Sequence, residues 1–264
     1  MKKMRIDLLL VERGLAESRN RAQRLVMAGE VRVDGEMVHK SSTLAALDAH
    51  IEVKARPKYV SRGGRKLAAA IEAFDVDPSG KVCADVGAST GGFTDCLLQN
   101  GAEKVFAIDV GYGLLHWNLR QDPRVVVMER TNARYLESLP ESVELVTMDA
   151  SFISLSLLLP AVGGWFSGGR GQVIALIKPQ FEAGREAAAV HAGVIKDEAV
   201  HARVLADTLS NAQTLGFQPA GLIPSPIKGP KGNIEFLVFL VRGEDDKQVD
   251  LQALIQHALE DAPE

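Results

Sequence analysis

The sequence predicts an α/β protein, a doubly wound and mostly parallel sheet preceded by a small α+β domain. Three observations carry that expectation. From about residue 80, short apolar runs alternate with glycine loops and helical stretches, the rhythm of a parallel sheet covered on both faces. Before that point the pattern is helix, helix, hairpin. The charge divides in a similar place: residues 1–66 hold 15 of the 30 Lys+Arg but only 8 of the 34 Asp+Glu. A basic front therefore precedes an acidic body. The expected divisions are a small basic domain at 1–58, a linker at 59–66, the α/β body at 67–243 and an acidic tail at 244–264.

Taken in order, RIDLLLVERG places Ile6, Leu9, Leu10 and Arg13 at helical spacing and ends on Gly14. SRNRAQRLVMAG opens with Ser18 as an N-cap and stops at Gly29, with Ala22, Leu25 and Val26 on its inward face. EVRVDGEMV alternates around Asp34-Gly35, a strong hairpin signal. A short strand follows at Ile51–Val53. The runs KVCADV, KVFAIDV, RVVVME, VELVTMD and GQVIALIK then read as parallel strands. DEAVHARVLADTLSNAQTLGF is a long amphipathic helix, and FQPAGLIPS and NIEFLVFLV are close enough in sequence to form an antiparallel edge. The tail carries one expected helix, LQALIQHAL. The alanine- and glycine-rich stretch from Ala183 to Ile195 reads as a surface loop or a lid.

Bulk properties exclude several classes. Net charge is -4 with 46% hydrophobic residues, as in ordinary globular proteins. No run of about 18 uncharged apolar residues suggests a membrane span, and Arg5, Asp7, Glu12 and Arg13 break up the leucines of the N-terminal segment, against a signal peptide. Cys83 and Cys96 fall inside apolar segments and read as reduced thiols of a cytoplasmic protein. The six histidines lack metal-ligand spacing. The basic front suits a polyanion, nucleic acid being the commonest.

DVGASTGGFTD, from Asp85 to Asp95, joins a strand to a helix. Glycines there permit a tight turn and close approach of a ligand at a helix N-terminus. The spacing is G-x-x-x-G-G, unlike the dinucleotide fingerprint, and no Gly-Lys-Ser/Thr follows to cradle phosphates. With Asp109 ending the next strand, the loop suits an adenosine ligand without a pyrophosphate, S-adenosylmethionine. On this loop alone, a structural turn in some other α/β enzyme stays open.

Charged residues also stand at strand ends, where open α/β sheets bind ligands. Asp149 ends VELVTMD, Lys178 ends GQVIALIK, Glu235 lies in the last strand, and Lys66 in SRGGRKL precedes the first core strand. A lysine closing an apolar strand is costly unless paired. Two lysines with two carboxylates suggest proton transfer from a poorly acidic hydroxyl; a plain Lys178–Asp149 pair reaching solvent is the alternative.

In order and context Lys66, Asp149, Lys178 and Glu235 resemble the Lys-Asp-Lys-Glu tetrad of ribose 2′-O-methyltransferases of the FtsJ/RrmJ type. RIDLLLVERGLAESRNRAQRLVMAGEVRVDG resembles the RNA-binding domain shared by ribosomal protein S-four and pseudouridine synthases. The two joined by YVSRGGRKL, together with MDASFISL, IKPQFE and GPKGNIEFL, resemble the TlyA family of bacterial RNA methyltransferases, also labelled hemolysins, over about residues 4 to 242.

The resemblance implies a Rossmann-like seven-stranded S-adenosylmethionine-dependent methyltransferase fold with one antiparallel strand, methylating cytidine ribose 2′-hydroxyls of ribosomal RNA. Lys178 would remove the proton, Asp149 and Glu235 would orient it, and Lys66 would steady the alkoxide or substrate. The cofactor would contact Asp85, Gly87, Ala88, Ser89, Thr90, Gly91, Gly92, Phe93 and Asp149, with its ribose on Asp109 beside Val110 and its adenine near Asn132. Arg5, Arg19, Arg21, Arg24 and Lys40 would bind RNA phosphates, with Arg62 and Arg65 continuing the track. Expected partners are ribosomal RNA or ribosomal subunits, with no membrane and no metal, for a monomer or weak homo-oligomer. A hemolysin-type membrane-active protein and an RNA-binding protein on an inactive scaffold are the competing classes.

Overall fold

The structure is a computed structural model describing residues 2–54, 57–183, 194–243 and 249–263. Two compact units divide the chain, Met1–Pro57 and Lys58–Glu264.

The first unit contains β1 (Lys3–Arg5), α1 (Ile6–Glu12), α2 (Arg19–Met27), β2 (Val31–Val33), β3 (Glu36–Met37), β4 (Leu44–Ala46) and β5 (Ile51–Val53). The apolar helical faces meet as expected: Ile6, Leu9, Leu10, Ala22, Leu25 and Val26 form its core. Ser18 Oγ accepts from Arg21 N at 3.3 Å, capping α2. Asp34 and Gly35 both adopt positive φ, 49° and 84°, the requirement of a type I′ hairpin between β2 and β3. The three-stranded order is β3-β2-β5. The antiparallel pairing of β1 with β4 has no alternating signature in such short strands.

In the second unit the core strands are β6 (Val82–Val86), β7 (Lys104–Ile108), β8 (Val125–Met128), β9 (Leu145–Met148), β10 (Gly171–Ile177), β11 (Gln218–Pro224) and β12 (Phe236–Arg242). They form one sheet ordered β11-β12-β10-β9-β6-β7-β8. Only β12 runs against the others, inserted between β10 and β11. Its start therefore lies at the same sheet edge as the ends of β9 and β10.

Both faces are covered, which is why the strands read as continuous apolar runs. Alternate residues divide between two layers. Ala84, Val86, Val173, Ala175 and Ile177 pack with α6 (Leu155–Gly163), α7 (Glu198–Thr214) and α8 (Leu251–Glu260). Cys83, Ile174 and Leu176 pack with α3 (Gly63–Phe74), α4 (Gly92–Gln99) and Leu119 of α5 (Trp117–Arg120). Burial pushes the free thiols of Cys83 and Cys96 up to about 12 and about 11.

Two expectations change. Residues 59–66 are not a linker: residues 63–66 are the first turn of α3, and Tyr59 is buried in the second unit's core. Gly64 makes this possible, since a Cβ there would strike the Tyr59 ring. Glu235 immediately precedes β12 rather than lying in it, because the loop before it closes through Gly229 N donating to Asn233 O at 2.8 Å. Of the stretch expected as a loop or lid, residues 184–193 lie outside the described residues.

Candidate active site

A cavity of about 710 Å³ opens at the sheet edge formed by the ends of β6, β9 and β10 and the start of β12. Its lining includes Gly87, Ala88, Ser89, Thr90, Gly92 and Phe93 from the glycine loop, and all four members of the lysine–carboxylate constellation.

The register explains why distant residues meet. Ile177 pairs with Phe236 across β10 and β12, so Lys178 and Glu235 occupy the next positions outward. Met148 of β9 pairs with Ala175 of β10, placing Asp149 at the same edge. Lys66 comes from the first turn of α3. Its Nζ lies 2.6 Å from Glu235 Oε2 and 3.9 Å from Asp149 Oδ2. Lys178 Nζ lies 2.6 Å from Asp149 Oδ1 and donates to Ser151 Oγ at 2.9 Å. Asp149 thus sits between two ammonium groups. Both lysines are buried, and Glu235 is 1% exposed. Such burial is tolerable only because each cation has a carboxylate partner.

Glu235 Oε1 nevertheless has no hydrogen-bond partner among the described residues, and neither does Gln180 Oε1. Buried acceptors without donors are rare, and both residues line this cavity. Gly229 leaves room for the first, since a Cβ there would strike Glu235 Oε1.

The glycine loop is held by backbone. Gly87 N and Ala88 N donate to Ile108 O at 2.9 and 3.1 Å. Gly87 has φ +81°, and a Cβ on it would come within 2.8 Å of Asp149 O. At Gly92, a Cβ would meet Gly64 N at 2.9 Å. The loop can pass between the tetrad and α3 only without side chains at these points.

Other expected cofactor contacts are placed differently. Asp85 is fully buried and outside the cavity lining. Its Oδ2 accepts from Thr94 N at 2.9 Å and Thr94 Oγ1 at 2.7 Å, and its Oδ1 from Thr147 Oγ1 at 3.2 Å. Asp85 therefore ties the start of α4 to β6 and β9, and desolvation pushes its carboxyl up to about 7. Gly91 sits behind the loop against Leu115 and Leu119. Asp109 also lies outside the lining; it accepts from Ser89 N at 2.8 Å and Gly111 N at 2.6 Å, bracing the loop. The Val110 side chain is exposed. Asn132 Oδ1 accepts from Arg134 N at 3.1 Å, capping the turn Ala133–Tyr135.

Sequence reasoning missed several residues. Ser151 holds Lys178, and Phe152, 88% exposed with φ +65°, stands at the cavity with its ring 4.8 Å from that of Phe181. Lys231 and Gln180 also line it. Phe152 was hidden at the start of the apolar run Phe152–Phe166. Glu182 in IKPQFE is half-buried, accepting from Ser154 Oγ at 2.6 Å and Leu155 N at 2.8 Å; its carboxyl is raised by desolvation.

In the first unit, the fully buried Asp7 accepts from Arg5 Nε, Arg19 Nε and Gln23 Nε2, each at 3.0 Å. Its hydrogen bond with Arg5, opposed by desolvation and supported by Gln23 and Arg19, holds the carboxyl far below the carboxylate range. Two of the expected phosphate-binding arginines are thus engaged in holding α1 to α2. Arg24 and Lys40 are exposed, and Arg21 lines a hollow of about 310 Å³ with Lys54. Arg62 and Arg65 are exposed on the second unit. Among the described residues no group of three His, Cys, Asp or Glu could hold a metal ion.

A doubly wound sheet with its one antiparallel strand second from the edge, and a glycine loop at the first strand, is the scaffold of Rossmann-like methyltransferases; fold and cavity place the chain in that class. Comparison with known proteins narrows it. Residues 59–242 match the FtsJ-like methyltransferase family and residues 4–47 the S4 domain. The chain belongs to the FtsJ-like methyltransferase family, in its S4-bearing branch with the TlyA proteins. It is 43% identical over 269 residues to the 16S/23S rRNA (cytidine-2′-O)-methyltransferase TlyA of Mycobacterium tuberculosis, covering 99% of both chains. It is 49% identical over 246 residues to Bacillus subtilis YqxC, provisionally named an rRNA methyltransferase, covering 90% of this chain and 86% of that one. A solved structure from Streptococcus thermophilus, under a provisional hemolysin label, superimposes with a TM-score of 0.73 at 42% identity, over 98% of this chain and 95% of that one. No helix among the described residues is long and apolar enough to cross a membrane.

Proposed function

We propose that the protein transfers a methyl group from S-adenosylmethionine to the ribose 2′-hydroxyl of a cytidine in ribosomal RNA. The observation that carries this is the pairing of Lys178 with Asp149 and of Lys66 with Glu235 in the cavity that the glycine loop enters. A ribose hydroxyl is a poor nucleophile, and nothing in a simple binding site calls for two buried lysine–carboxylate pairs.

The residues fit the cofactor. With no Cβ atoms at Gly87 and Gly92, the loop packs directly on Asp149 and on Gly64, which holds its backbone at the cavity wall. Gly87 to Phe93 would hold the cofactor, and Asp109, whose two oxygens already accept from Gly111 and Ser89, would meet ribose hydroxyls with its remaining lone pairs. When bound, S-adenosylmethionine supplies an electrophilic methyl group on a sulfonium. Lys178 acts as the neutral amine: its N–H groups point to Asp149 and Ser151, its lone pair takes the 2′-hydroxyl proton, and the ammonium that results is paired by Asp149. Lys66 steadies the oxygen as negative charge develops, while Glu235 fixes Lys66 and offers its unpartnered Oε1 to a sugar hydroxyl. Positioning supplies much of the rate, because no covalent intermediate is required. Phe152 and Phe181 form an aromatic face on which the target base stacks. Arg21, Arg24 and Lys40 of the first unit bind RNA phosphates.

The test is transfer of tritiated methyl from S-adenosylmethionine to unmodified ribosomal subunits and to free rRNA, followed by nuclease digestion and identification of the nucleoside. The expected product is 2′-O-methylcytidine. Label appearing on a base, or none on either RNA, would refute it.

A further inference from the structure

Lys231 lines the cavity without belonging to the lysine–carboxylate pairs. It sits in the turn Pro230–Gly232 with φ +59°, a left-handed conformation that crowds the Cβ of any residue but glycine. Gly232, its neighbour, already occupies positive φ at 88°, so a second glycine would relieve the strain at little cost. The turn is also fixed. Gly229 N donates to Asn233 O at 2.8 Å and Gly232 N to Gly229 O at 3.1 Å, and Gly229 packs directly on Glu235. Lys231 is thus an exposed cation mounted on the loop that positions Glu235.

The charge of the lining is unbalanced. Arg62, Lys66, Lys178 and Lys231 face Asp149 and Glu235. The carboxylates are matched by Lys66 and Lys178. Arg62 and Lys231 have no carboxylate within ion-pair distance among the described residues, leaving two uncompensated cations. A sulfonium cofactor adds a third positive charge. Whatever completes the site must therefore bring anions, and a ribose within an RNA strand brings a phosphodiester on each side.

Resting on the function proposed above, we infer that Lys231, with Arg62, is the subsite for the phosphodiesters flanking the target ribose. Lys231 is then a positioning residue: it fixes the sugar over Lys178, and by neutralising a phosphate it lessens repulsion against the developing alkoxide. The strain at residue 231 is retained because only a side chain there can reach a phosphate.

The experiment uses the full chain with substitutions Lys231→Ala, Lys231→Gly and Lys231→Arg. KM for rRNA is measured across about 50–200 mM KCl, the range over which phosphate contacts declare themselves, with S-adenosylmethionine affinity and melting temperature alongside. Lys231→Ala should raise KM roughly five-fold and reduce the slope of log affinity against log salt by about one. Cofactor affinity should not change, and Lys231→Arg should restore both KM and slope. Lys231→Gly should show the same KM defect while melting at the same temperature or higher, because strain is released. Unchanged KM and salt slope in the Ala and Gly variants would overturn the subsite while leaving the proposed function standing. A fall in cofactor affinity would overturn it too, assigning the lysine to the cofactor carboxylate. Absence of methyl transfer to RNA by the unsubstituted protein would overturn the function and the subsite together.

Discussion

Asp85 offers a quantitative test of how the glycine loop is anchored. Its carboxyl is fully buried, and desolvation outweighs the three hydrogen bonds it accepts, raising it from 3.8 to about 7. That separation is worth roughly 4 kcal/mol between the two protonation states. The sign follows from linkage: a carboxyl raised on folding contributes stability fully present below the unfolded value, and lost as pH rises through the folded value. About a third of the separation is already crossed at pH 5, so between pH 5 and pH 8 the charge on Asp85 should cost the native state roughly 2.5 kcal/mol. Asp85→Asn removes the charge while keeping an oxygen for Thr94 and a donor for Thr147 Oγ1. Urea unfolding of both proteins at pH 5 and pH 8 isolates the effect, since every other titrating group is shared. The gap should move in favour of the Asn variant by about that amount as pH rises. Parallel pH curves would refute a buried, reluctantly ionised carboxylate. A variant that gained stability but lost cofactor affinity by orders of magnitude would refute a purely structural Asp85.

The remaining predictions test other layers. Asp7→Asn should destabilise the first unit by roughly 2–3 kcal/mol at neutral pH by dismantling the charged network with Arg5 and Arg19. Because that carboxyl is depressed on folding, wild-type stability should hold above about pH 4 and decline in acid, whereas the variant's should not show that decline; circular dichroism melts across pH 3–7 check it. Phe152→Ala should weaken rRNA binding by about 1–3 kcal/mol per stacked base with stability nearly unchanged, because the ring is 88% exposed; filter binding against thermal melting separates these. Gly87→Ala should lower cofactor affinity at least ten-fold and destabilise by about 1–3 kcal/mol, since a Cβ would meet Asp149 O and φ is +81°; calorimetric titration and urea unfolding read both.

Much of this architecture follows from patterns spaced two and 3.6 residues apart. The seven core strands, the long helix at 198–214 and the Asp34-Gly35 turn lie where periodicity and turn chemistry put them, since burial on both faces leaves continuous apolar runs. Asp149, Lys178 and Glu235 were legible because each stands at the edge of such a run. Side-chain direction within a loop was not. Asp85 and Asp109 share a sequence context with ligand-binding acids, yet one is enclosed by Thr94 and Thr147 and the other braces Ser89. Arg5 and Arg19 read as solvent-facing cations because Asp7, their partner, is ordinary in sequence and becomes central only when α1 packs on α2. Phe152 opens an apolar run; its exposure depends on a left-handed backbone that no apolar pattern encodes. Lys66 meets Glu235 across 169 positions, a pairing accessible only through the tetrad resemblance or the folded chain.

The central claim is that Lys178 is the proton acceptor in a site otherwise complete for cofactor and RNA. It is tested most directly by single-turnover methyl transfer to rRNA with Lys178→Ala beside the unsubstituted protein, both saturated with S-adenosylmethionine whose affinity is measured in the same preparations. Cofactor and RNA affinities should agree within about three-fold while the rate of transfer falls by at least 10²-fold. Transfer by Lys178→Ala at the unsubstituted rate would contradict the account.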